Sequence, residues 1–354
     1  MRKDRIAALT EGLEKNKLDA LLVMKPESVK YLTSFSADNT ALIIGKGKKI
    51  VITGFIHAEE ASEFFRGWDT RIAKKGIHGE IGRAAAARRI KRLGFEALSL
   101  GFIQYKNIKR ALKGAADFAA ADAVESLREI KERGEILAIK KAAAITARAL
   151  KEAKRGLGPN ATEASVSRHI KRLFIKYGAE GPAFEPIVAA PPASSRPHHI
   201  PRAKRLGRRN ALLIDIGAKL NGYNSDLTRM CRLGRIKPKF LDIYNITAEA
   251  QNRAIAQVRP GVKISDIDRA ARGHIEAKGF GRFFGHGTGH GLGLEIHERP
   301  YIARNNNARL KEGMVFTIEP GIYIPGLGGV RIEDIVYVEK NGCRVLTDDI
   351  DKSI

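Results

Sequence analysis

The sequence of 354 residues contains few cysteines and few aromatic residues. Cys231 and Cys343 cannot build a framework of several disulfides, which favours a reducing compartment such as the cytoplasm. Aromatic residues make up 6% of the chain, too few to favour a surface that stacks nucleic-acid bases. No run reaches the roughly 18 consecutive apolar residues that span a membrane. No apolar segment follows the basic N-terminus, so we expect a cytoplasmic protein without a signal peptide or a membrane partner.

Acidic residues are outnumbered by basic ones. The chain has 63 Lys and Arg against 39 Asp and Glu, which gives a formal net charge of +24. The excess recurs in short runs at 46–49, 88–92 and 202–205. A positive field of this kind attracts polyanions, so binding to nucleic acid stays open although the few aromatics disfavour it. The other interpretation is a solvated basic surface without a partner.

The first third of the chain has the pattern of a small αβ domain over residues 1–125. Ile6, Leu9 and Leu13 have the spacing of a helix. Short apolar runs predict strands, and the second and third of them predict a hairpin. The predicted strands are 18–24, 40–45, 49–53 and 97–102, and a further helix is predicted at 55–65.

The remainder, residues 126–354, begins with a long helical pattern. Apolar residues between 136 and 150 recur at steps of three and four, and a second helix follows around 166–174. A loop rich in Pro and Ser covers 190–201. Beyond it, strand patterns alternate with two helices at about 239–257 and 264–278. We therefore predict two domains, and no internal repeat is present.

Carboxylates and histidines of this second part occur where packing alone does not explain them. A carboxylate at the end of an apolar strand is costly unless something pairs with it. Neighbouring carboxylates repel each other unless a cation lies between them. The glycine-rich segment 285–298 lets the backbone approach a ligand closely. The candidate ligands are Asp215, Asp226, His290, Glu319 and Glu333.

This set of oxygen and imidazole donors suits Mn²⁺, Co²⁺, Fe²⁺ or Zn²⁺. Four carboxylates carry more charge than one divalent ion requires, which favours two ions that share carboxylates. Taken singly, each residue has a simpler explanation as a turn, surface or core residue. Taken together, the five favour a metal centre.

The segments that contain these five residues resemble the pita-bread metallopeptidases, which include methionine aminopeptidases, aminopeptidase P and prolidases. Asp215 and Asp226 are 11 residues apart, His290 and Glu319 are 29 apart, and Glu319 and Glu333 are 14 apart. The last two intervals resemble those of prolidases and short Xaa-Pro peptidases. Segments 18–23 and 29–35 resemble the creatinase-type N-terminal domain. The resemblance implies an α/β chain, with a small αβ domain at 1–125, a pita-bread (α+β) catalytic domain at 126–354, and a homodimer.

The resemblance also implies a role for each residue. Asp215 would bind one metal ion, Asp226 and Glu333 would bridge two, and His290 and Glu319 would hold the other. Glu319 would also carry the proton, and His297 would stabilise the tetrahedral intermediate. His198 would contact the substrate or leaving group, although the neighbouring His199 is easily confused with it. His286 and Arg331 would lie around the ligands or bind substrate in the pocket, and Arg331 could equally be a buried partner of the carboxylates. The ions would be Mn or Co, with Zn or Fe as alternatives.

The implied function is hydrolysis of the Xaa-Pro bond in dipeptides or short peptides by a hydroxide that bridges two metal ions. Neither Arg299 nor Arg304 can be assigned to the arginine that holds a dipeptide carboxylate in some family members. The choice between dipeptidase and aminopeptidase therefore stays open. The alternatives are a pita-bread protein that became a polyanion- or protein-binding module, and a metal-free creatinase-like hydrolase. Both are disfavoured because the full ligand set is present.

Overall fold

The protein is described here by a computed structural model that covers residues 4–207, 211–352 and 354. The first three residues of the basic N-terminus lie outside these ranges. The chain forms two compact units, of which the first ends at Arg128 and the second begins at Glu129. Each helix in the described ranges is too short or too polar to cross a membrane.

The N-terminal unit is a single mixed sheet with helices. Its helices are α1 (Arg5–Lys15), α2 (Pro26–Thr33), α3 (Ala58–Phe64), α4 (Ile77–Ala87), α5 (Phe102–Leu112) and α6 (Ala123–Arg128). Its strands are β1 (Ala20–Val23), β2 (Thr40–Gly45), β3 (Lys48–Thr53), β4 (Asp69–Ile72), β5 (Arg92–Phe95) and β6 (Asp117–Ala120). The strand order is β4-β3-β2-β1-β5-β6, and β2 runs antiparallel to both β1 and β3. The predicted hairpin of the second and third strands is confirmed.

One predicted strand of this unit is wrong. The run 97–102 forms a turn before α5, and the strand β5 lies just upstream, at Arg92–Phe95. The strand ends where the buried carboxylate of Glu96 accepts hydrogen bonds from the backbone amides of Met24 and Lys25, at 3.2 and 3.4 Å. Leu98 is 72% exposed, so this apolar side chain does not pack against the sheet.

The C-terminal unit contains four helices and thirteen strands among its described residues. The helices are α7 (Arg133–Arg155), α8 (Glu163–Lys176), α9 (Pro238–Ala256) and α10 (Ile264–Ala277). The strands are β7 (Gly181–Pro182), β8 (Ile187–Ala189), β9 (Ala211–Ile216), β10 (Ala218–Leu220), β11 (Tyr223–Asn224), β12 (Leu227–Arg232), β13 (Gly289–Gly291), β14 (Glu298–Ile302), β15 (Val315–Ile318), β16 (Gly321–Ile324), β17 (Gly328–Arg331), β18 (Asp334–Glu339) and β19 (Gly342–Val345). The four predicted helices are confirmed.

The apolar faces of α9 and α10 pack against the strands that carry the candidate ligands. Phe240 of α9, Ile267 of α10 and Phe316 of β15 belong to one buried cluster. Full burial of such a side chain stabilises the fold by about 1.5–3 kcal/mol. This packing holds β15, β17 and β18 in fixed positions behind the site.

The strand registers place the carboxylates close together. Asp215 of β9 pairs with Thr228 of β12, and Asp226 lies immediately before the first residue of β12. Ile318 of β15 pairs with Asp334 of β18. Because these strands are antiparallel, the next residues beyond that pair, Glu319 and Glu333, leave the ladder together.

A buried arginine ties these elements to the end of the chain. Arg229 is 1% exposed, and its guanidinium donates to the Glu333 carbonyl at 2.5 Å and to Asp334 Oδ1 at 2.6 Å. It also donates to the Ile350 carbonyl at 3.1 Å. A buried ion pair that loses one partner leaves the other charge uncompensated.

We expect Arg229→Leu to lower the free energy of unfolding by about 3–5 kcal/mol. The measurement is urea unfolding of the purified variant. Arg232→Leu is the matched control, because Arg232 is exposed on the same strand and its substitution should change stability by about 0.5 kcal/mol or less. Equal losses in the two variants would contradict the assignment of a structural role to Arg229.

Candidate metal centre

A cavity of about 1070 Å³ in the C-terminal unit collects the residues that the sequence singles out. All nine predicted site residues line it, together with His199. They are His198, Asp215, Asp226, His286, His290, His297, Glu319, Arg331 and Glu333. The strand ends and the glycine-rich segment therefore meet in one place.

The centre of the cavity is a group of possible metal ligands. One ligand atom from each of Asp226, His290 and Glu333 lies within 4.8 Å of the others. His290 Nε2 is 3.2 Å from Glu319 Oε1 and 3.6 Å from Asp226 Oδ2. Imidazole and carboxylate groups at this spacing can share a cation.

Backbone contacts aim the His290 ring at these carboxylates. Its Nδ1 lies 3.1 Å from the Gly291 carbonyl, which leaves Nε2 free to face the cavity. Its amide donates to Thr317 Oγ1 at 3.1 Å, and Thr317 Oγ1 donates to Glu319 Oε1 at 3.1 Å. A Cβ at Gly289 would lie 1.9 Å from the Thr317 carbonyl, so only glycine allows this approach. An outer partner of this kind fixes which nitrogen binds a metal.

A hydrogen-bonded chain connects Asp215 to His286. The Arg331 guanidinium contacts Asp215 Oδ2 and donates to Tyr323 OH at 2.8 Å. Tyr323 OH lies 3.0 Å from His286 Nε2. Burial lowers the pKa of His286, so its neutral ring can accept a hydrogen bond from the tyrosine hydroxyl. His286 and Arg331 thus belong to one network, although they are far apart in sequence.

Two hydroxyl residues of the site were not predicted from the sequence, Thr228 and Tyr323. Thr228 Oγ1 donates to Glu333 Oε2 at 2.7 Å and accepts from Arg331 Nε at 3.1 Å. Thr228 lies two residues after Asp226 and Tyr323 four residues after Glu319, but hydroxyl side chains carry no metal-ligand pattern. The cross-strand pairing of Thr228 with Asp215 is the feature that identifies its role.

The carboxylates and the histidine of this cluster have strongly shifted pKa values. Burial, followed by the neighbouring Asp215, raises the pKa of Asp226 well above its usual value. Burial and Asp226 do the same to the pKa of Glu333. Although burial opposes it, the hydrogen bond between His290 and Glu319 lowers the pKa of Glu319 to about 2 and raises the pKa of His290 to about 9. The ionised carboxylates repel one another in the absence of a cation.

The residues fit a divalent cation. Asp215 Oδ1 is buried and has no hydrogen-bond partner among the described residues. Buried polar atoms are normally paired, so an orphaned carboxylate oxygen beside a carboxylate cluster indicates a position for a positive ligand.

The sequence also matches two known protein families. Residues 138–340 match Metallopeptidase family M24, and residues 5–130 match the Creatinase/Prolidase N-terminal domain. The chain belongs to metallopeptidase family M24. The prediction of a two-domain α/β chain with a creatinase-type N-terminal domain and a pita-bread catalytic domain is confirmed. Membership of this family implies divalent metal ions.

Individual relatives of this M24 metallopeptidase cover nearly its whole length. It is 36% identical over 348 residues to a Xaa-Pro dipeptidase of Pyrococcus horikoshii, which covers 97% of each chain. The solved Xaa-Pro dipeptidase from Bacillus anthracis has a TM-score of 0.93 at 34% identity, over 99% of this chain and 98% of that one. The X-Pro aminopeptidase from Thermotoga maritima has a TM-score of 0.85 at 33% identity, over 96% and 98%.

The adjacent histidines of the M24 metallopeptidase have different surroundings. His199 is 4% exposed, and its Nε2 lies 2.8 Å from the Glu163 carboxylate. His198 is exposed and faces the cavity without such a partner among the described residues. His297 is also exposed, and its ring centroid is 4.3 Å from that of His290. His198 and His297 are therefore available to a substrate.

An arginine that the sequence patterns did not identify also lines the cavity of the M24 metallopeptidase. Arg282 is exposed, and its guanidinium lies 4.7 Å from the centre of the Phe283 ring. Arg299 and Arg304 are absent from the lining. Arg331 also lines it, but contacts Asp215. Of the two arginines in the lining, Arg282 is the exposed one.

Proposed function

We propose that this M24 metallopeptidase hydrolyses the peptide bond before proline in dipeptides and short peptides, as a cytoplasmic homodimer. The observation that supports it most is the gathering of all five candidate ligands in one cavity. The chain that contains these ligands is 36% identical to a Xaa-Pro dipeptidase. An abandoned site kept only for polyanion or protein binding would have no need of a complete ligand set.

The proposed cofactor is a pair of divalent ions, with Mn or Co favoured and Zn or Fe as alternatives. Asp215 would hold one ion, and His290 and Glu319 the other. Asp226 and Glu333 would contact both, consistent with their closeness to His290. When bound, such ions supply an activated water at neutral pH and polarise the scissile carbonyl.

Glu319 carries the proton in this proposal. Its Oε1 lies 3.2 Å from His290 Nε2 and its side chain lines the cavity, so it is placed to accept a proton from the attacking water. The same carboxylic acid then donates that proton to the proline nitrogen as the bond breaks. A half-buried carboxylate that lies beside the cluster and also lines the open cavity is suited to both steps.

His297 and His198 would act on the developing charges of the substrate. Exposed imidazole groups beside the ligand cluster can donate hydrogen bonds to the oxyanion and to the leaving group.

The amide before proline lacks an N–H, so recognition of proline has to rely on the shape of the pocket. Phe184, Ile187 and Ile296 line the cavity and supply an apolar surface for the ring.

The experiment that tests the function is an assay of the metal-loaded protein on three substrates. Gly-Pro, Gly-Pro-Ala and Gly-Leu are compared at equal concentrations, and release of the N-terminal residue is measured. We expect cleavage of one or both proline peptides and much slower cleavage of Gly-Leu. Equal cleavage of Gly-Leu and Gly-Pro, or no cleavage of any peptide with metal bound, would contradict the proposal.

Arg282 is proposed to hold the C-terminal carboxylate of the substrate. We expect Arg282→Gln to raise KM for Gly-Pro by about tenfold while kcat changes little, because a charge-assisted hydrogen bond is lost. The same variant should leave KM for Gly-Pro-amide almost unchanged, since that substrate has no carboxylate. Arg304→Gln is the control, because Arg304 is exposed and outside the cavity lining. Equal effects on Gly-Pro and its amide would refute this role.

A further inference from the structure

A second cavity, of about 480 Å³, lies in the C-terminal unit and is lined by basic and apolar side chains. Its cations are Arg196, Arg202, Lys204 and Arg205, and its apolar wall includes Pro191, Pro192 and Leu206. The basic run at 202–205 has no part in the proposed hydrolysis. Its three basic side chains are exposed to solvent, and all three line this cavity.

The acidic side chain in this lining does not neutralise these cations. The Glu163 carboxylate is 4% exposed and accepts hydrogen bonds from the amides of Ala190 and Arg202, at 2.9 and 3.1 Å. Its remaining contact, at 2.8 Å, is with His199 Nε2. Within the described ranges, no carboxylate forms an ion pair with any of the four basic side chains. The cavity therefore has an uncompensated positive charge.

Two walls of this cavity also belong to the metal centre. The segment from Arg196 to Arg202 lines the small cavity at both of its ends, and His198 within it lines the large one. On the other side, Pro325 and Gly326 form the turn between β16 and β17. These two strands carry Tyr323 and Arg331 of the site network. A ligand here would lie directly behind the His198 segment.

We propose that this cavity binds a small molecule that carries a phosphate group. Guanidinium groups match the geometry of phosphate oxygens, and three arginines line this cavity without an ion-pair partner among the described residues. The volume lies within the range of small-molecule sites, and the proline and leucine surface suits the organic part of such a ligand. The inference goes beyond the proposed peptidase activity and does not depend on it.

The test is calorimetric titration of the full-length, metal-loaded protein with phenyl phosphate. We expect saturable binding of one equivalent, weakened by at least about tenfold in Arg202→Gln/Arg205→Gln, since each lost guanidinium contact is charge-assisted. Arg168→Gln/Arg172→Gln removes two exposed arginines of α8 outside the cavity, and it should bind as the unmodified chain does. The single change Lys204→Gln should weaken binding more modestly, and it keeps the test available if the double variant does not fold.

Three results would overturn the proposal. One is the absence of saturable phenyl phosphate binding. Another is full binding by Arg202→Gln/Arg205→Gln, which would place the anion at the metal centre or elsewhere. The third is an equal loss in the α8 control, because net surface charge would then be responsible for binding. Binding of a single-stranded oligonucleotide without binding of phenyl phosphate is a form of the first result, and it would also assign the binding to net surface charge. None of these results depends on whether the protein cleaves Xaa-Pro bonds.

Discussion

Glu319→Gln is expected to lower kcat/KM for an Xaa-Pro dipeptide by about 1,000-fold or more. General acid–base catalysis contributes about 10²–10⁴-fold, and a neutral amide can neither accept nor deliver the proton. The substitution also removes one anionic candidate ligand, 3.2 Å from His290 Nε2. Steady-state kinetics on Gly-Pro measures the loss, and the metal content of the variant is determined in the same preparation.

The control for this substitution is Glu312→Gln, which removes an exposed carboxylate shortly before β15. Its kcat/KM should stay within about twofold of the unmodified enzyme, since surface changes away from a site have small effects. A Glu319→Gln variant that retains its metal but loses kcat supports the role in proton transfer. Loss of metal together with activity supports the ligand role. Activity above about a tenth of the original would refute both.

The candidate ligands of the metal centre could be singled out from the sequence because carboxylates and histidines are costly at these positions unless something pairs with them. Asp215 follows an apolar run, and His290 lies between glycines, so ordinary packing explains neither. Thr228 and Tyr323 could not be found in the same way. A hydroxyl residue is common on any strand, and Thr228 reaches Glu333 only because its strand pairs in one register with β9.

Helices and strands also differ in how clearly the sequence pattern predicts them. The long helix α7 was predictable from steps of three and four, and the hairpin of β2 and β3 from two apolar runs. The strand β5 was missed because its four residues include an arginine and a glycine. A Cβ at Gly94 would lie 2.9 Å from Leu18 Cδ1, so a larger residue there would require this leucine side chain to shift. That requirement comes from tertiary packing, which no local pattern contains.

Removal of the metal is expected to abolish peptidase activity and to lower the stability of the folded enzyme. The protein is stripped with a chelator, and Mn²⁺ or Co²⁺ is then added back in measured equivalents. Activity should return and saturate near two equivalents if two ions share Asp226 and Glu333. At a free metal concentration of about 100 times Kd, binding at one site should add about 2.7 kcal/mol to the free energy of unfolding. Full activity of the stripped protein would contradict the metal centre, and saturation at one equivalent would contradict the paired ions.

Asp226→Asn separates the repulsion within the cluster from the binding of the metal. Burial and the neighbouring Asp215 make the ionised Asp226 unfavourable in the metal-free fold, so the neutral amide should raise the unfolding midpoint of the stripped protein. The same change weakens metal binding, so added Mn²⁺ should stabilise the variant less than the unmodified chain, and kcat should fall to background. Asp242→Asn, at an exposed position of α9, should change neither quantity. If the metal-free variant unfolds at a lower midpoint than the metal-free unmodified chain, Asp226 stabilises the fold without a cation, and the prediction is wrong.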